Sequence, residues 1–209
     1  MKQYGLVASL FLGLFLFSCG SAEHEENNER NVIQECYYTY NPVNSQLTWT
    51  AFKFNEKTPV SGTFNELNVS GAEIVNDPLE LIKNLSFSIP IASLNSQNPE
   101  RDEKIKTSFF GVLTNTNMLT GHVVSIADGT AILMIKLNDI EQELNCTYTL
   151  DENSFKLSTT LDLNLFDAIH AVNSLNTICK DLHVGADGVS KLWDVVDITF
   201  ETTFNADCQ

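Results

Sequence analysis

The side chains able to do chemistry are few and scattered along the chain. Four histidines stand at His24, His122, His170 and His183. His170 and His183 are thirteen residues apart and can meet only through folding. They read as surface imidazoles, with a polar contact to a ligand head group as the functional alternative. Glu141 and Glu143 fall on one side of a strand and read as a solvated surface rather than an acid–base pair. The sequence holds no GxSxG elbow, HExxH pair, phosphate-binding loop or glycine-rich nucleotide turn. With no nucleophile beside a base, the chain reads as non-enzymatic, with no catalytic residue and no cofactor.

The cysteines are the next candidates. Cys19 closes the leader; Cys36, Cys146, Cys179 and Cys208 remain, none in a CxxC or other metal-like spacing. No metal site is expected. An even number of cysteines in an exported chain points to disulfides, with three connectivities open for four residues.

Export itself is read from "MKQYGLVASLFLGLFLFSCGS": Lys2, an apolar run from Leu6 to Phe17, then Ser18-Cys19. That is a secretory signal over residues 1–18, with a run too short for a comfortable membrane span. "LFSC" resembles a bacterial lipobox, which makes Cys19 the acylated first residue of the mature protein. Several acyl chains, each worth about 0.8 kcal/mol per buried methylene, form a stable anchor. Residues 19–35 then form an acidic tether with too little apolar surface to fold. A domain is expected over 36–209, lipid-anchored at the cell envelope, on the periplasmic or the surface-facing side of an outer membrane.

Charge excludes other partners. The chain carries 12 Lys+Arg against 27 Asp+Glu, a formal net charge of −15. Such a surface repels phosphate backbones and anionic membrane surfaces. Nucleic acid is not an expected partner; the oligomeric state is left open.

The elements that must position these residues are mostly strands. From residue 46 onward apolar and polar residues alternate with period two. "QLTWTAF" puts Leu47, Trp49 and Ala51 on one face; "VSGTFNELNVSG" continues with a bend after Phe64; "LSFSIPIASL" puts Leu85, Phe87, Ile89 and Ile91 together. Four strands follow at roughly 117–127, 130–138, 141–150 and 155–164, with turn signals at Asp128-Gly129 and Asn138-Asp139. Their inward candidates include Val124, Ile126, Ile135, Cys146, Tyr148 and Leu161. A last strand carries Val196, Ile198, Phe200 and Phe204 on one face.

Two helices interrupt. In "NPERDEKIKTSFF", Asn98 is placed to cap, Pro99 to open, and Ile105 and Phe109 to form the apolar face. The second spans about 167–182, with Ile169, Val172, Leu175, Cys179 and Leu182 in one stripe. The fold class is therefore all-β: an eight-stranded antiparallel barrel with two short helices capping or covering it, a sandwich being the alternative. Closure of first strand on last brings Cys36 to Cys208, and a Cys146–Cys179 bridge is expected to clamp the second helix to the wall.

Three segments carry a family likeness. "SGTFNEL" (61–67), "LSFSIPIASLNSQNPERDEKIKTSFF" (85–110) and "IKLNDIEQELNCTYTL" (135–150) resemble the YceI-like, polyisoprenoid-binding family over about residues 37–205. The resemblance implies an elongated lipocalin-like barrel with an apolar channel for an isoprenoid chain. The charged helix would then close one end of it.

Channel-lining candidates are Trp49, Phe64 and Phe87, then Ile89, Ile135 and Tyr148, and finally Leu161, Ile198 and Phe200. For each, channel wall and plain core filling stand as alternatives. Ala51, Gly62, Thr159 and Thr202 are small residues that would leave room. The expected function is binding of a long apolar lipid, an isoprenoid quinone or polyprenyl chain, for carriage or storage. The alternative is an envelope scaffold whose barrel is filled by its own side chains.

Overall fold

A computed structural model describes residues 35–209. The leader 1–18, Cys19 and the tether as far as residue 34 lie outside those residues. Residues 35–209 lie within one compact unit.

In chain order the elements are β1 (Cys36–Thr39), β2 (Ser45–Lys53), β3 (Thr58–Phe64), β4 (Asn68–Ser70), α1 (Pro78–Lys83), β5 (Ser86–Pro90), β6 (Leu94–Asn95) and α2 (Pro99–Ser108). The long antiparallel run follows: β7 (Met118–Ala127), β8 (Thr130–Leu137), β9 (Ile140–Asp151) and β10 (Ser154–Asp162). Then come α3 (Ile169–Ile178), β11 (Leu192–Thr203) and β12 (Asn205–Cys208).

The main sheet runs β4-β5-β7-β8-β9-β10-β11-β2-β3-β6. Its ten segments make eight staves. β3 and β4 are halves of one stave bent at residues 65–67, and β5 and β6 are halves of another, bent at a 3₁₀ turn over Ile91–Ser93. β3 pairs with β6 and β4 with β5, so the two ends of the order are joined and the sheet closes on itself. The first stave meets the last as expected, β2 antiparallel to β11 with Ser45 opposite Thr202. Closure leaves no long free edge for another chain to extend.

β1 and β12 form a separate two-stranded ribbon at the end where β2 begins. Cys36 is directly opposite Cys208 and bonded to it, with Cα atoms 4.0 Å apart. Glu35, assigned from sequence to the tether, extends this ribbon through two backbone hydrogen bonds with Gln209.

Local chemistry explains the helices. Asn98 accepts from the Arg101 N–H at 3.0 Å and Pro99 opens α2; Asp77 accepts from the Leu79 N–H and Pro78 opens α1. The stretch at α1 reads from sequence as an irregular or helical turn; the helix there buries Leu81 and Ile82. α3 is shorter than its apolar stripe implies. It ends at Ile178 and passes into a 3₁₀ turn over Lys180–Leu182, so Val172, Leu175 and Cys179 are buried while Leu182 is 58% exposed.

Two sequence expectations are corrected. Val124 is exposed rather than inward. The β7–β8 register shifts between Val123 and Ser125, and the extra residue hands the inward position to Val123 while Ile126 stays buried. Cys146 and Cys179 do not form a disulfide; both are free and buried. Cys146 sits on β9 opposite Ala131, six residues and about 20 Å along the strand from the end at which α3 packs. Cys179 caps the C-terminus of α3, which rests on α2 and β11. Parity puts both thiols inside, at different heights in the barrel.

Candidate functional site

The lumen is not filled by its own side chains. An inner cavity of about 150 Å³ is walled by residues from nearly every stave, among them Phe87, Ile135, Leu144, Leu157 and Phe200. Its one polar wall residue is Thr159, whose hydroxyl donates to the Asn145 carbonyl at 2.8 Å. An apolar cavity of about this size holds a small hydrocarbon and stays dry.

A second cavity of about 130 Å³ lies beneath the helices at the end away from the disulfide. Ile105 and Phe109 of α2, Val172 and Leu175 of α3, and Leu192 and Val196 of β11 form its walls. Phe64, Leu119, Leu137, Leu161 and Ile198 line both cavities, so the two are successive compartments of one apolar lumen. The apolar face of α2 is thus a wall of the lumen, while Glu100 on its other side reaches water with 80% of its side chain exposed.

A third cavity, about 350 Å³, continues from the second to the surface. Trp49, Ala51, Ile105, Leu175 and Leu192 are common to both. This mouth is chemically unlike the interior: Lys53, Glu100, Arg101, Lys104, Cys179 and His183 stand around it. His183 donates from Nδ1 to the Asn176 side-chain oxygen at 2.8 Å. Burial, and then the neighbouring Lys53 ammonium, push its pKa below the ordinary imidazole value. The Cys179 thiol is pushed up, chiefly by burial. It stays protonated and is no nucleophile at neutral pH.

The charged turn before α2 is held by an internal network. Asp102, 8% exposed, accepts from the Ser96 N–H at 2.8 Å and from the Ser96 hydroxyl. Arg101 donates to the same hydroxyl at 2.7 Å and to the Ser96 carbonyl at 2.6 Å. The consecutive Arg101-Asp102 pair therefore fastens the loop after β6 to the first turn of α2.

Of the nine channel-lining candidates, Phe64, Phe87, Ile89, Ile135, Leu161, Ile198 and Phe200 border the inner cavity. Trp49 borders the second cavity and the mouth. Tyr148 lines neither compartment; it stacks on Phe155 with ring centroids 5.6 Å apart. Of the small residues, Thr159 and Ala51 border cavities, Gly62 makes room for the Trp49 indole, and Thr202 is buried against the Ser45 hydroxyl. His170 and His183 sit at opposite ends of α3 and do not form one site. Sequence reasoning missed the mouth cations, because Lys53 at the end of β2 is far in the chain from Arg101 and Lys104 on α2.

A closed eight-stave barrel with helices over one end and an apolar lumen is one half of an assignment. The other half is that residues 38–204 match the YceI-like domain. The chain belongs to the YceI-like family. The match stops just inside Cys36 and Cys208, so the disulfide lies just outside the matched residues at both ends. Solved structures share the fold at low identity. A polyisoprenoid-binding domain from Saccharophagus degradans, implicated in plant cell wall breakdown, is 12% identical with a TM-score of 0.54, over 83% of this chain and 99% of that one. BcnA of Burkholderia cenocepacia is 10% identical with a TM-score of 0.52, over 80% and 99%. The Campylobacter jejuni YceI protein is 17% identical with a TM-score of 0.52, over 75% and 90%. No curated protein matches the chain.

Proposed function

We propose that this YceI-like protein binds a long apolar lipid, an isoprenoid quinone or a polyprenyl chain, for carriage or storage, and that it performs no catalysis. The observation that carries the reading is the two-compartment apolar lumen that continues into a mouth beside α2 and α3. A hydrocarbon tail buried along it would remove a few hundred Å² from water. At about 25 cal/mol per Å² that amounts to several kcal/mol before association costs. The Saccharophagus domain of the same fold, described as polyisoprenoid-binding, supports the choice of an isoprenoid chain.

The protein would act at the cell envelope, anchored through an acylated Cys19. Native mass spectrometry after gentle extraction, with lipid analysis of the released ligand, tests the reading. One co-purifying lipid of defined chain length is expected. Recovery of lipid-free protein only, with no Trp fluorescence response to added polyprenyl lipids, would leave the barrel as a scaffold and end the proposal.

A further inference from the structure

The outer rim of the mouth exposes apolar side chains in a cluster. Of the eleven large hydrophobic residues that stand exposed among the described residues, Ile178, Leu182, Val184 and Val189 fall within one stretch of twelve. Single exposed hydrophobics need no explanation; a run of them beside a cavity does. Leu182, 58% exposed, also lines the mouth next to Cys179 and His183.

This exposure is built into the backbone. Residues 183–191 form a small hairpin in which the Lys191 N–H donates to the His183 carbonyl and the Gly185 N–H to the Val189 carbonyl, each at 3.0 Å, and Val184 bridges Ser190. The hairpin is fastened to the turn after β2. The Phe54 N–H donates to the Lys191 carbonyl at 3.0 Å, the Trp193 indole to the Phe54 carbonyl at 2.7 Å, and the Asn55 amide to the Asp187 carboxylate. Val184 and Val189 are thus presented to solvent by a fixed scaffold.

Charge distinguishes this end from the rest. Residues 52–57 and 178–191 together carry four lysines against three carboxylates, Glu56, Asp181 and Asp187, in a chain whose formal net charge is −15. Among the described residues, six cations have no carboxylate within ion-pair distance: Lys53, Lys57, Arg101, Lys106, Lys180 and Lys191. Two of them are on α2 and the other four on these two segments. Lys191 and Lys57 stand over the Trp193 ring, 3.7 and 4.2 Å from its centroid. The ribbon end also exposes Tyr37, Val43 and Ile74, but no unpaired cation stands there.

An apolar fringe with lysines and a tryptophan behind it suits the boundary of a bilayer. The apolar tips enter among the acyl chains, and the long lysine stems let their ammonium groups reach the lipid phosphates. The strongly acidic remainder of the surface stays in water.

We propose that the rim formed by residues 178–191 and the turn at 53–57 docks on a lipid bilayer, with Ile178, Leu182, Val184 and Val189 inserted and the mouth facing the membrane. The inference goes beyond the carriage reading, which gives docking a purpose; docking itself does not require an occupied lumen.

The test uses the chain from Gly20 onward, disulfide intact, which keeps every described residue and lacks the leader and Cys19. Its binding to phosphatidylcholine vesicles is measured by cosedimentation, with hydrogen exchange to locate the contact. Binding is expected, with exchange slowed over residues 178–191. Ile178→Asp with Val189→Asp, two residues that line none of the cavities described, should weaken it at least tenfold. Ile178→Leu with Val189→Leu should retain it, as should Val43→Asp at the ribbon end. Unchanged thermal midpoints show that the variants are folded. No vesicle binding, binding unaltered by the paired aspartates, or slowed exchange at Val43 and Ile74 instead overturns the proposal. A vesicle-independent dimer broken by the same aspartates assigns the rim to a second copy of this chain and also overturns it. Carriage is judged separately, by co-purifying lipid: lipid-bearing protein that does not dock ends this inference alone, and lipid-free protein that docks upholds it.

Discussion

The indole of Trp49 occupies the space that a side chain at Gly62 would need. The two residues are directly opposite on β2 and β3, and a Cβ on Gly62 would fall 2.4 Å from Trp49 Cζ2 and 2.9 Å from the Asn95 carbonyl oxygen. The missing side chain lets the ring lie flat at the junction of lumen and mouth, 6% exposed. Gly62→Ala should therefore push the indole out of place. A loss of about 1–3 kcal/mol is expected, read as a lower urea midpoint together with a shifted tryptophan emission maximum. An unchanged emission spectrum would show that the ring does not depend on this gap.

Asp102 and Ser96 lock the start of α2. Asp102→Ala strands the buried Ser96 N–H and should cost about 1–3 kcal/mol. The neighbouring Glu103 is exposed, and Glu103→Ala should change stability by less than about 0.5 kcal/mol. Equal unfolding midpoints for the two variants would remove the locking role.

The Cys36–Cys208 bridge ties residues 172 apart in sequence. Chain entropy for a loop of that size sets an upper value of about 5 kcal/mol. Cys36→Ser with Cys208→Ser should lower stability by about 2–5 kcal/mol. Peptide mapping of unreduced protein alkylated after denaturation should find Cys36 linked to Cys208 and both Cys146 and Cys179 alkylated. A Cys146–Cys179 peptide pair would contradict the separation of those thiols along the barrel.

His183 makes stability depend on pH. Its folded pKa lies below the unfolded value near 6.5 because burial, and then Lys53, disfavour the imidazolium. The unfolded chain therefore binds the proton first, so this contribution is complete above about pH 6.5 and is lost as pH falls below it. The other charged groups at this cavity are Lys104, Arg101 and Glu100, with Cys179 protonated throughout. Between pH 7.5 and 5 the wild type should lose more stability than His183→Gln in parallel urea titrations. Parallel curves would mean that His183 titrates alike in both states.

Leu161 borders both apolar compartments. Leu161→Trp should fill the passage between them, reduce uptake of a long-chain lipid at least tenfold, and destabilise the fold by about 1–3 kcal/mol. Binding measured by native mass spectrometry, with circular dichroism to show an intact barrel, decides it. Undiminished uptake would mean that the tail does not run through this passage.

Much of the barrel was legible because a strand exposes its environment with period two. Leu47, Trp49 and Ala51, or Leu157 and Leu161, alternate with solvent-facing neighbours, and an inward position follows by counting. Counting fails where one residue is inserted, as at Val123–Ser125 in β7, because the hydrogen-bond register of the partner strand decides where the bulge falls. Helix α2 was legible from Asn98 and Pro99, since a cap acts over three residues. The roles of Arg101 and Asp102 were not, since their partner Ser96 becomes adjacent only when the loop folds back.

The sequence by itself determined the eight-stave barrel, its capping helices, the family and the Cys36–Cys208 pairing, since each rests on local periodicity, on a short motif, or on chain ends brought together by closure. Tertiary structure alone decided that the lumen stays open rather than packed, that Cys146 and Cys179 stand apart, and that Lys53, Arg101, Lys104 and His183 converge on one mouth. Those facts depend on the height of each residue along the barrel axis and on how far side chains reach across it. Alternation fixes which way a side chain points and carries no information about either.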